Sequence, residues 1–287
     1  MTYFLLRLLC FVLFFVPRPI SLALGRFIGR MVYRLYPKRV KVARINISKM
    51  LPDLSKKERE KILHDSYKHF GMVVIDFFKV ATYSASRVNA LVNDIESGFD
   101  NLGESNGGII MTAHIGNWEM IIPAMSARMN KFSVVVQTQK NKSADRFFHW
   151  IRGWEFTKLI PKDLSIRQLI NDLKSGYFIG LASDQNARKS GANVRIFKNI
   201  VSLPLGAAKL HLKTDKEISL IVCLLDSDYR YRILVENISV NDFDSGIEAD
   251  PLSINQLFAN RLEHYIREYP SQYFWFHRIF NKEMYNK

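Results

Sequence analysis

The sequence predicts an α/β fold: a mainly parallel central sheet with helices on both faces, preceded by a hydrophobic membrane-anchoring helix at the amino terminus. Three features carry this expectation. Strand-like apolar runs alternate with helical patterns from residue 109 onward, which is the pattern of a parallel sheet covered on both sides. The 287 residues are 48% hydrophobic, enough for one large α/β domain with a sizeable core. Residues 3–16, YFLLRLLCFVLFFV, are apolar except for Arg7 and end at Pro17.

That first run is shorter than the roughly 20 apolar residues a perpendicular span needs. No clean small-x-small cleavage site follows it, and Arg18, Arg26 and Arg30 come too soon for a mature secreted domain. In the next segment, 20–36, Arg26, Arg30 and Arg34 recur every fourth residue and form one charged helical stripe. Leu24, Phe27, Ile28, Met31 and Leu35 fill the opposite side. A basic stripe against an apolar face suits a helix in the membrane interface; an amphipathic helix packed on the core gives the same pattern. The adjoining apolar run favours the membrane, so residues 1–36 are read as an anchor, either a short tilted span or an embedded hairpin, and 37–287 as the main domain.

The net charge is +14, and residues 1–52 hold ten basic side chains before the first acid, Asp53. Basic groups beside an apolar anchor fit an anionic membrane surface, each contributing about 1 kcal/mol. No RNP aromatic pattern, zinc-finger spacing or basic heptad supports nucleic acid as the partner. Cys10 lies inside the anchor, which argues against a disulfide with Cys223.

Along the main domain, Ser55 and Glu58 form a capping box that opens a helix to about Thr82. After the turn-rich run 98–108, IIMTA predicts a strand that stops at His114, and Asn117 caps a helix to about Met129. KFSVVVQ, TKLI and YFIGLAS predict strands, with helices over SADRFFHWI and SIRQLINDLKSG between them. The helix LGAAKLHLK follows, then two strands, EISLIVCLL and YRILVEN, which the turn DSDYR makes antiparallel, and a last helix from about Ser253 to Tyr269.

Ligands of open α/β sheets bind beyond the carboxyl ends of the strands. His114 and Asp184 each follow an apolar strand, so parallel strands would place both on one rim. His114 and Glu119 are five residues apart; on a continuous helix they would diverge by about 140°. With His114 before the helix, Glu119 in its first turn and Gly116 free to curl between them, the carboxylate is expected to reach one imidazole nitrogen. It would fix the tautomer and stabilise the imidazolium, making His114 a general base able to activate a hydroxyl. The chance alternative is an unrelated His and Glu. There is no GxSxG, HExxH, paired-cysteine, GxxxxGK[ST] or GxGxxG pattern, so no metal and no cofactor is expected.

TAHIGNWE resembles the signature block of the bacterial lipid A biosynthesis acyltransferases, the lauroyl and myristoyl transferases. NISKMLPDLSKKER, QKNKSADRFFHWIR, LKSGYFIGLASDQNARKSGANVRIF and YPSQYFWFHRIF are similar to further family segments, in the same order. The resemblance implies an H-x4-E enzyme on the glycerolipid acyltransferase-like fold, with an acyl carrier protein thioester as donor and a membrane glycolipid as acceptor. It implies a place on the cytoplasmic face of the bacterial inner membrane. By position, His114 is the base and Glu119 its partner. Asn117 belongs to the substrate site or caps the helix; Arg152 binds substrate phosphate; Asp184 and Gln185 line the site, Asp184 otherwise being a turn residue. Arg188 and Arg195, in the basic stretch with Lys189 and Lys198, would hold acceptor phosphates or form a solvated surface. Lys198, Tyr273 and Ile279 depart from the family pattern. Two alternatives stand beside this reading: acylation of a lysophospholipid or other lipid, with acyl-CoA as a possible donor, and a non-catalytic peripheral membrane-binding protein.

Overall fold

The protein is described by a computed structural model, which covers residues 1–95, 102, 105–162, 166–239 and 249–286. Most of the turn-rich run 98–108 and the start of the predicted helix at Ser165 lie outside the described residues.

Among the described residues, seven strands form the main sheet in the order β1-β9-β8-β2-β5-β3-β4. They are β1 (Val92–Ile95), β2 (Gly108–Gly116), β3 (Phe132–Val136), β4 (Thr157–Pro161), β5 (Phe178–Ala182), β8 (Ile218–Leu225) and β9 (Tyr231–Ile238). From β8 through β4 all pairings are parallel, whereas β9 runs antiparallel to β8 and β1 parallel to β9. The expected antiparallel final pair is therefore present, turned at 226–230. A separate hairpin, β6 (Ala192–Ile196) and β7 (Asn199–Leu203), occupies part of the basic stretch. The hairpin falls where the basic stretch predicts a loop, and β1 has four residues, too few for a visible period.

The two faces of the sheet carry separate cores. Met111, Ala113, Ile179, Leu220 and Val222 point into one, with the helix Pro251–Glu268; Ile110, Phe132, Phe178, Ile221 and Cys223 point into the other, with the helix Ile121–Ser126. Strands with both faces buried read as continuous apolar runs, as IIMTA and ISLIVCLL do.

Among the described residues, five helices precede the sheet: α1 (Thr2–Phe15), α2 (Arg18–Leu35), α3 (Pro37–Met50), α4 (Lys56–Val80) and α5 (Ala85–Leu91). The Ser55–Glu58 capping box at the start of α4 is formed in full. α2 lies against α4 at backbone distance through glycines. A Cβ on Gly29 would stand 2.0 Å from the Tyr67 carbonyl oxygen, and one on Gly71 2.0 Å from that of Gly25.

Of the two forms of anchor expected, tilted span and embedded hairpin, the structure does not support the span. α1 has 14 residues, and no helix among the described residues is long and apolar enough to cross a membrane. Pro17 separates α1 from α2, and Arg18 at the first position of α2 makes a bidentate ion pair with buried Asp76 (2.6 and 3.1 Å). Lys79, wholly buried, donates to the Leu13 and Val16 carbonyls at the end of α1 (2.5 and 2.7 Å). A helix end leaves its last carbonyls short of partners, and Leu13 accepts besides only from the Val16 N–H at 3.2 Å among the backbone bonds described. α1 and α2 are thus fastened to the domain by one small or polar face. Their outward residues remain apolar: Phe4, Leu5, Leu8, Phe11 and Phe15 on α1, and Ile20, Leu24, Phe27, Ile28 and Leu35 on α2, are exposed. Cys10 and Cys223 are both free and buried.

Candidate active site

β2 and β5 are adjacent and parallel, with Thr112 opposite Ala182. Their carboxyl ends therefore deliver His114 and Asp184 side by side. The Asp184 carboxylate clasps His114 twice: Oδ2 accepts the backbone N–H at 2.9 Å and Oδ1 accepts from imidazole Nδ1 at 2.7 Å. Asp184 is completely buried, so this bond is little diluted by water. Burial disfavours the imidazolium, but the charge and hydrogen bond of Asp184 outweigh it, and the pKa of His114 is raised. Burial likewise disfavours the Asp184 carboxylate, yet its contacts with His114 hold it below the ordinary aspartate value.

With Nδ1–H committed to Asp184, Nε2 carries the lone pair. Gln185 places its amide nitrogen 3.2 Å from Nε2, where it donates to that lone pair. The ring sits among aromatic side chains, with centroids 4.6 Å from Trp118, 6.0 Å from Phe274 and 6.3 Å from His277.

Glu119 does not orient His114. Its carboxylate takes Arg152 in a two-pronged ion pair, Nε–Oε2 at 2.9 Å and Nη2–Oε1 at 2.5 Å. Two facts of the chain explain the difference. β2 continues beyond His114 to Gly116, and a 3₁₀ turn (Trp118–Met120) then carries Glu119, in place of the first turn of a long α-helix. At Gly116, φ is +60° and a Cβ would lie 1.9 Å from the Cys223 carbonyl oxygen, which also accepts from the Asn117 N–H. That backbone curl, which glycine adopts without a Cβ to meet the Cys223 carbonyl, directs Glu119 toward Arg152 at the end of the helix Lys142–Arg152. Glu119 remains near enough for its charge to help raise the His114 pKa.

Of the other expected site residues, Arg152, Asp184 and Gln185 belong to the site and Asn117, Arg188 and Arg195 stand apart from it. Asn117 is fully buried; it makes no side-chain cap, and its Nδ2 donates to the Tyr231 hydroxyl at 2.8 Å. Tyr231 in turn donates to Asp76 at 2.5 Å, which links the site turn to the Asp76–Arg18 pair at the head of α2. Arg152, expected to bind a substrate phosphate, faces the site but has its charge taken by Glu119. Arg188, in a 3₁₀ turn, and Arg195, on β6 with its backbone held by Gln256, are both exposed and away from the cleft.

Sequence reading missed how the carboxyl-terminal segment completes the site. Phe274 donates its backbone N–H to the His114 carbonyl at 2.8 Å, and Tyr273 bridges Ile115. The His277 ring stacks on Phe274 at 5.8 Å, and burial holds its pKa below the ordinary imidazole value. Asn46, on α3, pins this segment by donating to the Trp275 and His277 carbonyls at 2.7 and 2.8 Å. The available signal was the resemblance of residues 46–59 and 269–280 to family segments; nothing in their local pattern says that they meet.

His114 opens onto a cleft of about 530 Å³. Ile110, Thr112, Ile121, Ile122, Phe132 and Val134 line it below the ring. Gln137, Gln139, Lys162, Gln185, Glu119 and Arg152 supply polar groups. An apolar cavity with a few convergent polar groups is the usual form of a small-molecule site, typically about 300–1,000 Å³.

Residues 1–282 match the family described as bacterial lipid A biosynthesis acyltransferase. The chain belongs to that family. It is, accordingly, an acyltransferase. The palmitoleoyltransferase of lipid A biosynthesis from Escherichia coli (strain K12) is 24% identical over 278 residues, covering 92% of this chain and 86% of that protein. A phosphatidylinositol mannoside acyltransferase of Mycolicibacterium smegmatis (strain ATCC 700084 / mc(2)155) is 26% identical over 187 residues, 63% of this chain and 59% of the other. Among solved structures, the 1-acyl-sn-glycerophosphate acyltransferase PlsC of Thermotoga maritima aligns over 88% of this chain and 96% of its own, at 14% identity and a TM-score of 0.37. Within the segment TAHIGNWE of this chain, the direct hydrogen-bond partner of His114 is Asp184 and that of Glu119 is Arg152.

Proposed function

We propose that the chain transfers a fatty acyl group from an acyl carrier protein thioester to a hydroxyl of a membrane glycolipid such as a lipid A precursor. The observation that carries this reading is the His114 ring, held at Nδ1 by buried Asp184 while Nε2 faces an apolar cleft. The names of the curated relatives support a glycolipid acceptor, since one acts in lipid A biosynthesis and another on a phosphatidylinositol mannoside.

In the proposed reaction the acceptor hydroxyl displaces Gln185 from Nε2. His114 takes its proton as the alcohol oxygen attacks the thioester carbonyl carbon. The Asp184 carboxylate stabilises the imidazolium so formed. When the tetrahedral intermediate collapses, the carbon–sulfur bond breaks and the imidazolium returns the proton to the leaving thiolate. Ester and free carrier thiol result, and the ring is again neutral. Glu119 and Arg152 fix the wall opposite the ring and contribute field at the site.

The exposed apolar faces of α1 and α2 support an inner-membrane location on the cytoplasmic side, with the two helices lying in the interface rather than spanning it. An excess of basic side chains over acidic ones, 41 to 27, suits both an anionic bilayer and docking of an acidic carrier protein.

The test is transfer by purified protein from a series of acyl carrier protein thioesters to lipid A precursors and a panel of other lipids, with products read by mass. Wild type should form an ester product, and His114→Ala should lose about 10²–10⁴ in turnover, the usual contribution of a general base. Undiminished turnover in His114→Ala would remove the catalytic assignment.

A further inference from the structure

The peptide between Gly116 and Asn117 is held at both of its polar ends. Its N–H, from Asn117, donates to the Cys223 carbonyl on β8 at 2.7 Å. Its carbonyl, from Gly116, lies 3.2 Å from Nε2 of His69 on α4. In a trans peptide these two groups point in opposite directions, so β8 and α4 grip the plane from either side and fix its tilt. His69 is 6% exposed, and burial holds its pKa down to about 4. The ring is therefore neutral near pH 7. With a carbonyl in front of Nε2, that nitrogen carries the proton and donates it.

The 116–117 peptide is the pivot of the site. On its amino side stands His114, with its N–H held by Asp184 and its carbonyl by Phe274. On its carboxyl side the 3₁₀ turn carries Trp118 and Glu119. α4 reaches this turn at two further points. Phe70 packs on Trp118 with ring centroids 5.9 Å apart. Asp76, about two helical turns beyond His69, reaches Asn117 through the Tyr231 hydroxyl. Rotating the 116–117 plane would swing Glu119 and loosen His114 against Asp184. Those two carboxylates are the charges that raise the His114 pKa against burial and Arg152.

We infer that His69 is a positioning residue for His114: its Nε2–H fixes the Gly116 carbonyl, and with it the placement of the imidazole against Asp184 and Glu119. The inference rests on the proposed acyl transfer at His114. His69 does not line the cleft, so it acts through the turn and not on either substrate. A histidine that only filled the core would serve by its volume; one that positions the turn serves by its hydrogen bond. The two roles part when the donor is removed and the volume kept.

Substitutions at 69 make that separation. In His69→Gln the amide nitrogen stands as many bonds from Cα as imidazole Nε2 and can donate to Gly116. In His69→Asn it stops one bond short, and in His69→Leu there is no donor. Leu63→Ala, elsewhere on α4 and wholly buried, loosens the helix without touching the turn. For each protein, transfer from an acyl carrier protein thioester to a lipid acceptor is measured against pH, the His114 ring is titrated by NMR without substrate, and thermal unfolding is recorded. His69→Asn and His69→Leu should lose about tenfold in kcat, or about 1.4 kcal/mol on the barrier, with KM near wild type. Their His114 titration should move to lower pH. His69→Gln should restore both, and Leu63→Ala should change the unfolding midpoint alone. If His69→Leu does not fold, the Asn and Gln variants decide. A folded His69→Asn with wild-type kcat and titration, or a His69→Gln no better than His69→Asn, would overturn the inference. Absence of transfer from every thioester by wild type would instead remove the function on which it rests, since the titration is read without substrate.

Discussion

Glu119 and Arg152 stand 33 positions apart and meet as a bidentate ion pair, each with less than a fifth of its side chain exposed. The pair builds one wall of the cleft below His114, and burial makes its two charges depend on each other. Burial works against the guanidinium, and the Glu119 charge and hydrogen bonds more than compensate, raising the Arg152 pKa. Removing one member leaves the other charged and unpaired, which typically costs about 3–5 kcal/mol. Glu119→Gln and Arg152→Met should each lower the unfolding midpoint, and the double variant should recover part of the loss. Additive losses in that double-mutant cycle, read by thermal denaturation, would show that the two charges do not couple.

Asp184→Asn tests the clasp on His114 through pH. A base must be neutral to act, and Asp184 raises the His114 pKa, so the acid limb of the wild-type rate profile should lie above the ordinary imidazole value. In Asp184→Asn the Glu119 charge alone opposes burial and the Arg152 charge, and the limb should move to lower pH while the plateau falls by about 10²–10⁴. Stability follows the same pair with the sign set by both shifts. The contribution of His114, whose pKa is raised, is complete below the unfolded imidazole value and is lost as pH rises through the folded value. That of Asp184, whose pKa is lowered, is present above the unfolded carboxyl value and lost as pH falls through the folded one. The stability gap between wild type and Asp184→Asn should therefore be widest between about pH 4 and 6.5. A gap that grows above that window would contradict the assignment.

Gly116→Ala should damage the site without touching a reactive group. It combines a backbone at φ +60° with a Cβ 1.9 Å from the Cys223 carbonyl oxygen, so β2 and β8 must part or the turn must unwind. A loss of about 1–3 kcal/mol from backbone strain alone, together with a fall in turnover, is expected from denaturant unfolding and rate measurements.

Tyr231→Phe removes one hydroxyl from the buried chain Asn117–Tyr231–Asp76–Arg18. The ring volume is kept, while Asn117 Nδ2 and Asp76 each lose a bond; a buried polar group left unsatisfied costs about 1–3 kcal/mol. Stability should fall by that order, with turnover falling through the turn that carries Trp118 and Glu119. Retention of wild-type stability, checked by thermal melting, would mean that the hydroxyl contributes nothing there.

Membrane attachment is tested by changing the outward face of α1 rather than deleting it. Loss of residues 1–36 would also remove Arg18, the partner of Asp76, and strip α2 from α4. Replacing Phe4, Leu8, Phe11 and Phe15, all exposed, with Ser should reduce co-sedimentation with vesicles of anionic lipid and leave the melting temperature near wild type. Unchanged vesicle binding would move the contact elsewhere.

The sequence alone determined most of the sheet and the rim on which His114 stands. IIMTA, FSVVV, TKLI and YFIGLAS are apolar runs bounded by turn residues, and a parallel sheet is the arrangement that buries them on both faces. The same rule placed His114 and Asp184 on one rim although 70 positions separate them. It could not choose which carboxylate reaches the imidazole. Sequence distance favoured Glu119, five residues away, but the backbone direction after Gly116 turned that side chain to Arg152 and left the ring to Asp184. Such choices depend on a few degrees of backbone and on neighbours from β5, β8, α3 and the carboxyl-terminal segment, which no local pattern encodes. The amino-terminal run illustrates the same division. Its hydrophobicity was legible, whereas the break at Pro17, the Lys79 cap and the Arg18–Asp76 pair that fold it against the domain depend on contacts distant in the chain.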